Sequence, residues 1–207
     1  MIRVTELDAL RAEMSEILSE RRFSHSLGVE RAALEIGRHC LPDKLSELSA
    51  AALLHDVAKE ASREDQLAAM NRSGVEFTDE DYSSAALYHS FAAPQIVKER
   101  FPHFATDEIL SAVFTHTSGG ELMTVFDEII FIADFVDDTR PYDACKMARE
   151  KLFSDLEAAK TREDKVCALH KSVISVIDFT IDYLENKGKS VNSRMLLAKS
   201  ALEGKIS

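Results

Sequence analysis

Along the chain, apolar residues recur every three or four positions and are interrupted by short polar stretches, a period that predicts helices rather than strands. Near the start, Leu7, Leu10, Met14, Ile17 and Leu18 mark one helical face, and Thr5 followed by Asp8 predicts a capping pair at its head. The same spacing predicts helices over about Ser24–Cys40, Lys44–Lys59, Ser62–Arg72, Thr78–Arg100 and Thr106–His116. Further helices are expected over about Thr124–Val136, Tyr142–Asp155, Thr161–Asn186 and Asn192–Glu203. Breaks fall at Leu41-Pro42, Ser73-Gly74, Phe101-Pro102, Ser118-Gly119-Gly120, Arg140-Pro141 and Gly188, where proline and glycine end helices. With only 7 Gly and 4 Pro, and no Asn-Gly or Asp-Gly step, hairpin signals are missing. The expected fold class is all-α.

A length of 207 residues fits one domain better than two. No internal repeat or low-complexity linker divides it. The expected unit is one domain over 1–207, with a core at about 10–185 and a more polar helical tail at about 187–207, either a docking helix or a mobile extension. Apolar residues make up 45% and charged residues 29%, the profile of a soluble globular protein. The opening MIRVTELDALRAEM has no basic region followed by an apolar run, and no stretch reaches the roughly 18 apolar residues of a membrane helix. A cytoplasmic location without membrane contact is expected. Cys40, Cys145 and Cys167 are odd in number and widely spaced, which predicts neither disulfides nor a thiolate zinc site. The net charge of −11 disfavours long nucleic acid as a partner. A small anion is compatible with it if metal ions or a few placed cations offset the field.

Several ionisable groups interrupt apolar segments. In AALLHDVAKE, Ala51 to Glu60, an imidazole, a carboxylate and an ammonium follow an apolar helix. On a helix His55 and Asp56 sit about 100° apart with Lys59 one turn on. In IIFIADFVDD, Asp134 follows five apolar residues, and a buried carboxylate must be hydrogen-bonded, neutralised or bound to a cation. His25 in FSHSLGV, His89 in ALYHSFAA and His116 in AVFTHTSGG share such settings. Singly, each has a structural explanation: Asp56 paired with Lys59, Asp134 paired with Arg140, each histidine bonded within the core. Together, four histidines and two aspartates on five apolar segments supply neutral nitrogen and hard oxygen, a donor set suited to Fe, Mn or Zn rather than calcium. That inventory is enough for two metals. His39, His103 and His170 sit in polar or unmatched settings and are left out of it.

The order H…HD…H…H…D, with a lysine three residues after the aspartate, resembles the HD-domain metal-dependent phosphohydrolases, and among them the YqeK-type hydrolases. The matching residues are Arg22, His25, Ser26 and Val29 of an RxxHSxxV opening, AALLHDVAK at Ala51–Lys59, and Tyr88-His89. The most specific stretch is HTSGGELMTVFDEIIFIADFVDDTR, His116–Arg140, which is similar to HTxGxxxM…IIxxADxxxxxR without a gap. The resemblance covers about residues 10–185. It implies an all-helical HD bundle, a two-metal centre of iron type, and symmetric cleavage of diadenosine tetraphosphate to two ADP. Carried over, it implies His25, His55, Asp56 and Asp134 around one metal, and Asp56, His89 and His116 around the other.

For such a reaction Asp56 and Lys59 are the expected catalytic groups, and Lys59, Arg140 and Arg22 the expected phosphate contacts. Arg140 has a simpler alternative, a surface salt bridge to Asp137 or Asp138. Three positions depart from the family pattern: Glu128 replaces a usual lysine, Asp137-Asp138 an acid-proline step, and Ala93-Pro94 a common Gly-Ala. The expectation for Glu128 is lost cationic character beside the pocket, and weaker substrate binding. The rival readings are an HD phosphohydrolase acting on deoxynucleoside monophosphates or guanosine alarmones, and a metal-bound nucleotide sensor without turnover. Metal identity, base preference and homodimer formation are not specified by the sequence.

Overall fold

Leu7, Leu10 and Met14 are the buried stripe of the first helix, α1 (Val4–Ile17), as their spacing predicts. Its head differs from expectation. The helix begins at Val4, and Glu6 accepts hydrogen bonds from the Arg3 backbone N–H at 2.7 Å and from the Arg3 guanidinium. Asp8 pairs with Arg11 instead of with Thr5. A bidentate guanidinium and a backbone donor together outcompete a hydroxyl for the first turn.

The computed structural model describes residues 2–206, which contain no strand. After α1 come α2 (Glu20–Cys40), α3 (Leu45–Leu54), α4 (Arg63–Arg72), α5 (Asp79–Ser83), α6 (Tyr88–Arg100) and α7 (Asp107–Thr115). The chain continues through α8 (Val125–Val136), α9 (Asp143–Ala158), α10 (Arg162–Asn186) and α11 (Ser193–Ile206). Helix α8 is buried from Phe126 to Ala133 without a gap, the signature of a helix enclosed on all sides. Helix α2 packs on α3 and α8, α7 on α3, α6 and α8, and α10 on α8, α9 and α11. No helix among the described residues is long and apolar enough to cross a membrane.

Two expected helices are shorter than their periodicity predicts, and both differences bear on the site. The segment expected at Lys44–Lys59 leaves α-geometry at Leu54. Residues 55–60 form successive tight turns, with Val57 N–H on the Leu54 carbonyl at 3.0 Å and Lys59 N–H on that of Asp56 at 2.9 Å. The segment expected at Thr78–Arg100 is α5, a 3-10 turn at Ala85–Leu87 and α6. Ser83 and Ser84 hydroxyls both bond the Glu80 carbonyl, a local competition that breaks helices.

The tail docks. Helix α11 buries Met195, Ala198 and Leu202, and Arg194 forks onto both oxygens of buried Asp81 at 3.0 and 2.9 Å. Gly119, at φ +67, lets this helix approach, since a Cβ there would lie 2.8 Å from the Ala198 methyl. The expectation for Glu128 fails on geometry. Its side chain is fully buried on α8, bonded to His170 Nδ1 at 2.5 Å and to Lys205 Nζ at 2.9 Å. It ties α8 to α10 and α11, and it faces no pocket that holds the candidate ligands. His170, set aside in the sequence, is therefore its structural partner.

Candidate metal centre

Six side chains converge from five segments. Ser19 caps α2 by accepting the Arg22 N–H at 3.3 Å, which places Arg22 and His25 one turn apart near the helix start. The tight turns after α3 carry His55, Asp56 and Lys59. His89 lies at the second residue of α6, His116 at the C-terminal cap of α7, and Asp134 near the end of α8. His25, His55, Asp56, His89 and His116 are buried, and Asp134 is partly buried.

Asp56 is the hub. Its Oδ2 faces His55 Nε2 at 3.5 Å and His25 Nε2 at 3.8 Å. Its Oδ1 faces His89 Nε2 and His116 Nε2, both at 3.6 Å. One carboxylate thus addresses two imidazole pairs with different oxygens. Asp134 Oδ1 closes the first side, 3.0 Å from His25 Nε2 and 3.9 Å from His55 Nε2. The imidazoles meet edge to face, with centroids 5.3 Å apart for His25 and His55, 5.0 Å for His55 and His116, and 5.2 Å for His89 and His116.

Two of these rings are aimed by the same device. His55 Nδ1 lies 2.7 Å from the Ala52 carbonyl and His116 Nδ1 lies 2.8 Å from that of Val113, each three residues back at a helix C-terminus. A carbonyl only accepts, so Nδ1 carries the proton and Nε2 offers a lone pair. Both Nε2 atoms, with His25 Nε2 and Asp56 Oδ1, are buried and make no hydrogen bond in the protein. Buried polar atoms without partners are costly, and this set of nitrogens and carboxylate oxygens fits a cation. His25, His55 and Asp134 form one group able to hold a metal ion, and His55, Asp56 and His116 form another.

Burial and charge act against each other at His25, Asp56 and Asp134 and together at His89. Burial pulls His25 toward the neutral form, but Asp134 and Asp137 outweigh it and raise its pKa to about 9. At His89, burial reinforced by His116 and Lys59 lowers the pKa to about 2, and burial likewise lowers that of His116. Burial raises the carboxyls of Asp56 and Asp134, yet both end well below the usual range. His55, His116 and Lys59 hold Asp56 down, and Arg140 and His25 hold Asp134 down.

The predicted phosphate contacts lie at the rim. Arg22 Nη1 sits 2.6 Å from Asp56 Oδ2. Lys59 Nζ is 3.7 Å from Asp56 Oδ1 and 2.9 Å from His89 Nε2, which also faces the Thr117 hydroxyl at 3.1 Å. Arg140 spends Nη2 on Asp134 Oδ1 at 2.5 Å, and Nε on the Asp134 carbonyl and on Asp137 at 3.1 Å. The surface pair considered for Arg140 is therefore a partly buried one, while Asp138 pairs with exposed Arg31.

Asp137 pairs with Arg140 as one of the two expected alternatives, but its contact with His25 was not foreseen. It is fully buried, its Oδ2 faces His25 Nδ1 at 3.3 Å, and Gly28 on α2 makes room for it. A carboxylate directly after a buried helix was the available signal. Two clefts flank the centre. One, of about 450 Å³, is lined by Arg21, Arg22, His25, Arg140 and Tyr142. The other, of about 490 Å³, is lined by Ser83, Leu87, Thr117, Lys189 and Asn192 among others.

Residues 22–139 match the HD domain family, a span that begins at Arg22 and ends one residue before Arg140. The chain belongs to the HD-domain family. This HD-domain protein is similar to the symmetrical bis(5'-nucleosyl)-tetraphosphatase of Bacillus subtilis, at 29% identity over 69% of this chain and 75% of that one. It is also similar to the proteins of that name from Halalkalibacterium halodurans, at 24% over 84% of each chain, and Staphylococcus aureus, at 27% over 82% and 88%. Its fold superposes with a TM-score of 0.81 on a predicted HD superfamily hydrolase involved in NAD metabolism from Clostridium acetobutylicum. That pair is 24% identical, over 96% of this chain and 97% of the other. The all-α HD architecture and the YqeK-type resemblance are borne out.

Proposed function

We propose that this HD-domain hydrolase cleaves dinucleoside tetraphosphates at the central bridge, releasing two nucleoside diphosphates from diadenosine tetraphosphate. The observation that carries the reading is Asp56, whose two oxygens address separate histidine pairs 3.5–3.8 Å and 3.6 Å away. In this reading His25, His55, Asp56 and Asp134 hold one transition metal and Asp56, His89 and His116 the other, with iron first and manganese or zinc as alternatives. Bound there, a metal pair supplies charge neutralisation for phosphate oxygens and acidifies a water.

The chain's own groups do the rest. The protons on His55 Nδ1 and His116 Nδ1 fix both rings with Nε2 inward. Lys59 is the mobile cation. Its side chain is one-third exposed and lies 2.9 Å from His89 Nε2; with that nitrogen given to a metal, like charge would favour the ammonium on a substrate phosphate instead. Arg140 Nη1 and the Arg22 guanidinium face phosphate from the opposite rim. Clefts on both the His25 and the Thr117 sides suit a ligand with two similar arms, whose midpoint then lies over the buried centre.

Product chromatography after incubation with diadenosine tetraphosphate is the direct test. Two ADP and no ATP or AMP are expected, and both activity and bound metal fall sharply in His55→Ala and Asp56→Ala. Equimolar ATP and AMP, or hydrolysis of mononucleotides alone, refutes the symmetric reading.

A further inference from the structure

Beyond Arg140 the arginine-lined cleft meets another, of about 460 Å³, with aromatic walls: Phe135 from α8, Tyr142 ahead of α9, and Phe179 and Tyr183 from α10. Arg140 and Tyr142 line both clefts, so the two share that edge. Phe135 and Phe179 meet edge to face at 5.7 Å. Tyr142, Phe179 and Tyr183 are 64%, 45% and 52% exposed, whereas Tyr88, Phe91 and Phe126 are buried in the core. The volume is that of a small-molecule site. Its lining includes one cation, Arg140, and no carboxylate.

We infer that this aromatic cleft seats a nucleobase of the substrate, a site that rests on the phosphohydrolase reading. Arg140 is 2.5 Å from Asp134, so a phosphate chain lying over the metal centre reaches the cleft edge at the guanidinium. Its next group outward is the nucleoside. A planar heteroaromatic suits exposed rings because each base offers a π-face. An anionic tail suits the guanidinium at the mouth. Arg140 spends Nε and Nη2 on Asp134 and Asp137, which leaves Nη1 as the polar group at the mouth, and a purely aliphatic ligand would make no use of it. The polar atoms near the rings are few, mainly the Thr180 hydroxyl and the tyrosine oxygens. The site therefore reads the presence of a base more than its identity, and ADP and GDP bind within a few-fold of each other.

The test is calorimetric binding of ADP, GDP and inorganic pyrophosphate to the metal-loaded protein. Phe179→Ala and Tyr183→Ala should each weaken ADP about tenfold, the size of one lost stacking partner, while pyrophosphate changes less than about twofold. Tyr183→Phe keeps the ring and should keep ADP affinity. Both alanine variants alter exposed rings, and matching thermal midpoints show that they fold. ADP affinity unchanged in both variants, or pyrophosphate falling as far as ADP, overturns the inference. So does a dimer that Phe179→Ala dissociates with ADP binding intact, which assigns the face to a second copy. Hydrolysis of diadenosine tetraphosphate is read on the same samples. Wild-type protein that shows the ring-dependent ADP affinity but no hydrolysis defeats the activity reading and leaves the base site supported.

Discussion

Asp137→Asn isolates what one buried carboxylate does for the centre. All the neighbours of Asp137 are donors: the Thr139 N–H at 2.9 Å and its hydroxyl on Oδ1, Arg140 Nε at 3.1 Å and His25 Nδ1 at 3.3 Å on Oδ2. An asparagine fits the space but must turn its NH₂ toward one of these pairs. Two hydrogen bonds are lost and a donor faces donors in a site closed to water. Bonds to charged groups are worth about 1.5–3 kcal/mol each, and partial relaxation leaves an expected loss of about 2–4 kcal/mol in stability. His25 loses the partner that orients its ring, and loss of such a partner costs about 10–100-fold in metal affinity. Urea unfolding and chelator competition measure the two effects separately. Asp138→Asn, which alters the exposed pair with Arg31, is the control and should change each by less than about 0.5 kcal/mol. Asp137→Asn with unchanged metal affinity and an unchanged urea midpoint would refute the reasoning.

Metal binding should release about one proton at neutral pH, because Asp134 and Asp137 outweigh burial and keep His25 protonated up to about 9. Affinity then rises up to about tenfold per pH unit between about pH 7 and 9 and falls toward pH 5, and titration in buffers of different ionisation enthalpy counts the proton. Glu128→Lys should destabilise by about 3–5 kcal/mol, by placing an ammonium against His170 and Lys205. The KM of the folded fraction should not improve, and a lower KM would restore Glu128 to the substrate pocket. Burial raises the Asp81 carboxyl, but Arg194 and the Thr78 N–H outweigh it and bring it from 3.8 to about 2. A depressed carboxyl contributes stability that is present above about pH 4 and lost as pH falls through about 2. The stability gap between wild type and Arg194→Ala, about 2 kcal/mol at pH 6, should close as pH falls through about 2, as followed by thermal unfolding.

The apolar period determined most of the helices, because burial of one face is a local property that spacing records. The stripe Leu7, Leu10 and Met14 was legible for that reason, and the segment Ile129–Ala133 because it is apolar without a break. The same held for the ligand types, since histidines and aspartates inside apolar segments need partners wherever those segments pack. What the sequence could not determine were relations between segments. That Asp56 turns one oxygen to His25 and His55 and the other to His89 and His116 follows from the tight turns at 55–60, where carbonyl bonding displaced helical geometry. The break at Ser83-Ser84, which puts His89 at the start of a helix, depends on side-chain competition for one carbonyl. Glu128 and His170 are 42 residues apart, and each alone looked out of place. Only packing of α8 against α10 brought the two groups within hydrogen-bonding distance, and a buried polar group is resolved by its partner across space, which local spacing does not encode.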